Sequence, residues 1–216
     1  MSTTLAIDTA GMTFAVALVV DGDIVREVQG AAPLDHTRLL LPALHELLGA
    51  DAARVDRLAV ARGPGGYAGV RVGLAVAAGY AMARSLPLVG IGTLEAVAMV
   101  AGPGSWLAIH PAGRGTFAAQ AYTDGIASGP LHALAEQEVR GDRLAGEGAA
   151  PFGGREVTAA ERCRAVAALA LLRFASARPG PPDALYLREP NITAPRARQS
   201  FATPVSGQLV TPTKET

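Results

Sequence analysis

Arg57-Leu-Ala-Val-Ala61, then Arg62-Gly-Pro-Gly-Gly-Tyr-Ala-Gly69, then Val70 to Arg84 is the stretch that decides the fold. The first five residues read as a short strand. The glycines end it, and the Ala-, Val- and Leu-rich run that follows predicts a helix. Residues 87–91 (Pro-Leu-Val-Gly-Ile) supply another strand and residues 93–101 another helix. Strands that alternate with helices in this way imply a sheet with helices packed on its faces. Upstream, residues 4–9 and 13–20 read as strands. Asp21-Gly22 is a hairpin signal, because both residue types tolerate positive φ, and 23–29 returns as the partner strand. The chain therefore opens with a β-meander and continues into a parallel portion, giving a mixed sheet.

A helix is predicted from Asp35, its N-cap, to about Leu48, with Gly49 past its end. Pro42 falls on its polar face with Arg38, His45 and Glu46, where a proline bends the helix around the core. The apolar arc runs from Leu39 through Ala43, Leu47, Leu40 and Leu44 to Leu41, and His36 lies within it. The arc spans about 200°, against the ~100° a core-covering helix needs. The excess implies a second surface to bury against. In the helix at 69–84, Gly69, Gly73, Ala77 and Ala81 recur every fourth residue and form a ridge of small side chains. The ridge allows close approach, either within the chain or between chains.

Downstream of Gly102-Pro103-Gly104, residues 105–109 and 116–122 read as strands and 140–155 as loop. Thr158-Ala-Ala-Glu161 is a capping box opening a helix to about Ala175, broken by Pro179-Gly-Pro-Pro182. Residues 184–187 read as a last strand, and from Glu189 the chain lacks periodicity and reads as a mobile tail.

With 216 residues, the chain has room for one domain or two small ones at about 150 residues each. Lys plus Arg and Asp plus Glu number 19 each, so the net charge is zero. That argues against nucleic-acid binding through a basic field. Cys163 is the single cysteine, which excludes an intrachain disulfide and a cysteine metal cluster. The N-terminus has no signal-peptide pattern. The longest apolar stretch, Val72 to Ala83, is about 12 residues, where a membrane span takes roughly 20.

The glycine loop at 62–69 has the ingredients of a phosphate cradle, namely glycines before a helix N-terminus. It lacks the Gly-Lys-Ser/Thr of a Walker A loop, and local sequence favours a tight, closely packed turn instead. Asp8, at the end of the first strand, is placed either to hold a metal-bound phosphate or simply to make a turn. None of His36, His45, His110 and His132 pairs at helical metal-ligand spacing. No Gly-x-Ser-x-Gly elbow is present, and Cys163, in a helix, reads as structural.

Four segments carry a resemblance. Ala6-Ile-Asp-Thr-Ala10, His36-x-x-Leu-Leu-Leu-Pro42, Arg62-Gly-Pro-Gly-Gly-Tyr-Ala-Gly-Val-Arg-Val-Gly73 and Leu86-Pro-Leu-Val-Gly-Ile-Gly-Thr-Leu94 look like the TsaB family, once called YeaZ. Leu185-Tyr-Leu-Arg188 matches the family's ending. The resemblance implies an α/β protein with the actin-like ATPase fold (ASKHA, ribonuclease H-like). It would have two subdomains of mixed β-sheets flanked by helices, at 1–101 and 102–188, with 189–216 as the tail. It implies a non-catalytic, cytoplasmic subunit. This subunit would bind and stabilise a TsaD-type enzyme, which with a TsaE-type ATPase transfers threonylcarbamoyl to N6 of adenosine 37 in tRNA. tRNA would be met only indirectly, with no membrane, cofactor or metal. The family's paralogue TsaD carries a His-x-x-x-His metal pair, and the matching positions here are Thr93 and Val97. Ala10 and Ala68 replace hydroxyl residues usual in the family. The loop His110-Pro-Ala-Gly-Arg-Gly-Thr116 lacks the acids of the family's Asp-Ala-Arg-x-Gly-Glu stretch.

On this reading Asp8, Gly63, Gly65, Gly66 and Gly69 are a vestigial nucleotide loop. The two helices would meet a partner's helices through His36, Leu39, Leu40, Ala43, Leu47, Gly69, Gly73, Ala77 and Tyr80, or a second copy in a homodimer. Ala77→Glu is then expected to abolish association and leave the monomer folded. The alternative is an actin-like ATPase or kinase using Asp8 and the glycine loop. An M22-type glycoprotease finds no nucleophile, metal pair or acid dyad.

Overall fold

The computed structural model describes residues 2–31, 35–176 and 182–187. Five strands form the first sheet: β1 (Thr3–Asp8), β2 (Thr13–Val20), β3 (Asp23–Ala31), β4 (Arg57–Ala61) and β5 (Leu88–Ile91), in the order β3-β2-β1-β4-β5. β1, β4 and β5 run parallel, and β2 is antiparallel to both its neighbours. Helix α1 (His36–Leu48) connects β3 to β4, and α2 (Tyr67–Arg84) connects β4 to β5. Helix α3 (Thr93–Ala101) leads to the second sheet.

That sheet contains β6 (Ser105–Pro111), β7 (Thr116–Thr123), β8 (Ile126–Ala127), β9 (His132–Ala135), β10 (Leu144–Gly146) and β11 (Arg155–Glu156). Its order is β11-β10-β6-β7-β8, with β9 also on β7. β8 pairs with the end of β7 and β9 with its start, so together they are one interrupted edge strand. β10 and β11 are parallel to β6, and β7 is antiparallel to it. The second sheet thus repeats the 3-2-1-4-5 order of the first, which is the topology of actin-like halves. Its crossovers hold only 3-10 turns, Glu136–Glu138 and Ala150–Phe152, where the first half has α1 and α2. Helix α4 (Ala159–Ser176) follows the second sheet but packs back on β1, β2 and α3.

The side chains of the first sheet explain this layering. Successive residues of a strand face opposite sides. Leu5 and Ile7 of β1, Phe14, Val16 and Leu18 of β2, and Leu58 and Val60 of β4 pack with α1 and α2. Their neighbours Ala6, Ala15, Ala17, Ala59 and Ala61 pack instead with Ala159, Cys163, Val166, Ala167 and Ala170 of α4. One face is built of large aliphatics and the other of alanines, so α4 lies close to the sheet.

The sequence expectations are corrected at several points. Residues 140–155 are not all loop, because β10 and the start of β11 lie there. β8 and β9 were not expected. Asp35 makes no side-chain cap to α1. Helix α2 begins at Tyr67 rather than Val70. Residues 184–187 are not a strand; the amide of Leu185 donates to the Arg62 carbonyl at 2.7 Å, a single backbone contact with the loop after β4. The Pro179–Pro181 part of the predicted break and the tail from Glu189 lie outside the described residues. Among the described residues, no helix is long and apolar enough to cross a membrane.

Candidate functional site

The ends of β1 and β6, the equivalent first strands of the two halves, meet at the junction of the sheets. Asp8 is the last residue of β1 and shares its face with Ala6, so its carboxylate points toward α4. There Arg162 donates from Nε to Asp8 Oδ2 at 2.9 Å, and both side chains are 0% exposed. Asp8 Oδ1 accepts the Ala10 amide at 2.9 Å. The Arg162 Nη1 also lies 2.8 Å from Oε2 of Glu147, on the loop after β10, and donates to the Val157 carbonyl at 3.2 Å. Burial alone would lower the affinity of Arg162 for its proton, but the two carboxylates outweigh that and raise it.

His110 of β6 is fully buried beside this pair. Its Nε2 lies 3.1 Å from the Ala10 carbonyl, an acceptor, so Nε2 carries the proton. Its Nδ1 then presents a lone pair, 3.9 Å from Glu147 Oε2. Burial, with Arg162 close by, pushes the imidazole pKa down to about 3, so the ring is neutral. Glu147 also accepts the Met12 amide at 3.2 Å, and its carboxylate fills the space a Cβ would take at Gly11.

The glycine loop packs on the β1–β2 hairpin. The Gly66 amide donates to the Ala10 carbonyl at 2.8 Å. A Cβ at Gly65 would strike the Ala10 carbonyl oxygen, one at Gly69 the Thr9 carbonyl oxygen, and one at Gly73 the Thr9 hydroxyl. Gly63, at φ +98°, faces the Leu185 carbonyl. These glycines serve close packing. A pocket of about 310 Å³ remains beside them, lined by Ala10, Gly11, His36, Gly66, Tyr67 and Gly69 among others. Among the described residues no lysine, arginine or carboxylate lines it, and Asp8 points away from it into its pair with Arg162. The residues therefore do not fit a metal–nucleotide. Thr93 and Val97, at the positions of the paralogue's metal pair, are buried in the first turns of α3. The Cys163 thiol is buried and its pKa is pushed up, which leaves it unreactive.

The expected contact residues fall mostly inside the chain. His36, Leu40, Ala43, Leu47, Gly69, Gly73 and Ala77 are buried, while Leu39 and Tyr80 are half-buried. Most of the wide arc of α1 packs on β2 and β3, and the small-residue ridge brings α2 against Thr9 and His36. His36 Nε2 lies 3.1 Å from the Gly11 carbonyl. The surface that these helices leave open is a groove of about 430 Å³ between them, lined by Leu41, Leu44, His45, Leu48, Val76, Gly79 and Tyr80 among others. Leu41, at the far edge of the predicted arc, is 59% exposed.

Arg162 and Glu147 were missed from sequence. The signal for Arg162 was there: Ala159, Arg162, Cys163, Val166 and Ala170 share one stripe of α4, and a charge on an apolar stripe calls for a buried partner.

Two solved structures from Pseudomonas aeruginosa share this architecture. YeaZ aligns with a TM-score of 0.66 at 26% identity, over 80% of this chain and 93% of that one. A protein described as similar to peptidase YeaZ aligns at 0.72 and 25%, over 87% and 100%. The fold is that of a two-sheet, actin-like α/β protein similar to YeaZ. The profile of the family described as "TsaD: tRNA N6-adenosine threonylcarbamoyltransferase" matches residues 23–127. The "tRNA threonylcarbamoyladenosine biosynthesis protein TsaB" of Escherichia coli is 37% identical over 105 residues, 47% of this chain and 43% of that protein. Its Bacillus subtilis namesake is 35% identical over 99 residues, 44% and 43%. Over about half of its length the chain is thus similar to the TsaB (YeaZ) proteins, and its matches span about 43% of the length of these relatives.

Proposed function

We propose that this protein is a non-catalytic subunit in the biosynthesis of threonylcarbamoyladenosine in tRNA, acting by binding and stabilising a TsaD-type enzyme. The observation that carries the reading is the apolar groove between α1 and α2, open at the surface. A partner's helix laid in the groove would bury Leu41, Leu48, Val76 and Tyr80. Of the contact residues expected from sequence, Tyr80 lines this groove. The names of the TsaB relatives support the pathway. In this reading the transfer to N6 of adenosine 37 is done by the TsaD-type partner, with a TsaE-type ATPase in the same assembly. The protein is cytoplasmic, meets tRNA only through its partner, and pairs with itself through the same groove when alone. Residues 1–101 and 102–188 are its two subdomains.

The test is co-purification with the TsaD-type protein, followed by a tRNA modification assay with and without this chain. Association and a gain in modified tRNA are expected. A chain that neither associates nor stimulates modification would refute the reading. Calorimetry with ATP and magnesium addresses the ATPase alternative, and tight binding by the isolated chain would favour that alternative.

A further inference from the structure

A cleft of about 650 Å³ opens beside β2 and β3 and shares no lining residue with the groove between α1 and α2. Its apolar wall is Leu18 and Val20 of β2 with Val25 of β3. Its charged side is Arg26 of β3 with Asp51 and Arg54 of the 3-10 turn Gly49–Arg54 that follows α1. Small-molecule sites measure about 300–1,000 Å³ and combine an apolar lining with a few convergent polar groups.

The strand pairing is irregular at this cleft. Leu18 stands opposite Arg26 and Val19 opposite Ile24, so Val25 is an extra residue on β3. Neighbours on a regular strand face opposite sides. Across this bulge Val25 and Arg26 both line the cleft. Bulges re-aim side chains in this way and are over-represented next to functional sites. Here the bulge leaves a valine 50% exposed beside a guanidinium.

The two arginines play different parts. Arg26 is anchored: Nη1 donates to the Leu47 carbonyl at 3.1 Å, and Nη2 lies 2.8 Å from Asp51 Oδ2. Arg54 reaches the other oxygen of that carboxylate, Oδ1, at 3.2 Å, and its side chain is 78% exposed. Asp51 balances one guanidinium, so the lining carries one surplus positive charge, at Arg54. A molecule complementary to this cleft brings one negative charge and an apolar body.

We propose that the cleft is a binding site for a small aliphatic carboxylate, with its chain on Leu18, Val20 and Val25 and its head on Arg54. A carboxylate matches the single surplus charge and accepts two parallel N–H bonds from one guanidinium. A phosphate dianion overshoots that charge. The inference is independent of the partner reading, because it concerns the isolated chain and no assay of association enters its test.

Octanoate is the probe, titrated by calorimetry and followed by nuclear magnetic resonance of valine and leucine methyls. The wild type is expected to bind it, with the methyl signals of Val20 and Val25 shifting. Octanamide, which lacks the charge, and acetate, which lacks the chain, should each bind at least tenfold more weakly. Arg54→Glu reverses the surplus charge, so R54E should lose octanoate and take octylammonium in its place. V25D sets a carboxylate in the apolar wall without touching Arg54 and should weaken octanoate at least tenfold. Both positions are exposed, and circular dichroism checks that both variants fold. A wild type that does not bind octanoate overturns the proposal. So does octanamide that binds as tightly as octanoate, or octanoate that binds R54E and V25D as tightly as the wild type.

Discussion

Ala77 and its neighbour Val76 separate two kinds of position on one helix. Ala77 is 0% exposed, packed with the large aliphatic core. A glutamate there buries an unpaired charge, at about 3–5 kcal/mol. Ala77→Glu is therefore expected to unfold the monomer, which corrects the expectation drawn from sequence, and circular dichroism will show it. Leu41→Asp alters the rim of the groove and should shift stability by only about 0.5 kcal/mol. It should nevertheless abolish co-purification with the TsaD-type protein; retained association would remove the groove from the proposal.

His110 supplies a second test at this scale. Its pKa falls from 6.5 to about 3 on folding, through burial first and Arg162 next. The folded state then binds fewer protons than the unfolded state between those values. The stability this gives is complete above pH 6.5. It is lost as pH drops toward 3, at about 1.4 kcal/mol per pH unit. His110→Gln keeps an N–H donor toward Ala10 and removes the titration. Urea unfolding across this range should show a shallower pH dependence for H110Q than for wild type; equal slopes would count against a neutral buried imidazole.

At the scale of elements, helix α4 positions Arg162 and depends on its first turn. The Glu161 amide donates to the Thr158 hydroxyl at 3.2 Å, and the Thr158 amide donates to Glu161 at 2.9 Å. Thr158→Ala should cost about 1 kcal/mol. That lowers Tm by about 2–4 °C in a chain of this size, measurable by calorimetry. This capping box was legible in the sequence, as were the meander, α1, α2 and α3, because each has a local signature of periodicity, cap or turn. β8–β11 were not legible, since runs of two to four residues carry too little pattern. Large residues alternate with alanine in β1, β2 and β4. That alternation states which face would receive α4. The Asp8–Arg162 pair joins residues 154 apart, and no local pattern specifies such a partner.

Across the whole molecule, one strand order occurs twice, but only the first copy keeps its crossover helices. The docking surface proposed here lies on those helices, so the molecule offers a partner one side and not two. Zero net charge suits the proposed role, in which the partner handles the tRNA. Calorimetric titration of the isolated chain with tRNA at physiological salt should give no measurable heat of binding, and a submicromolar Kd would place tRNA on this chain directly.

The return of α4 to the first sheet also orders events on the ribosome. Every strand of that sheet has been made by Ile91, yet the helix that covers its alanine face begins at Ala159. Until α4 emerges, Asp8 lacks its counter-charge and the alanine face is wet. The nascent first half is thus a finished sheet with one bare side, and the last helix seals it. Chains halted before Thr158 should bind markedly more of an apolar dye such as anilinonaphthalene sulfonate than full-length chains do.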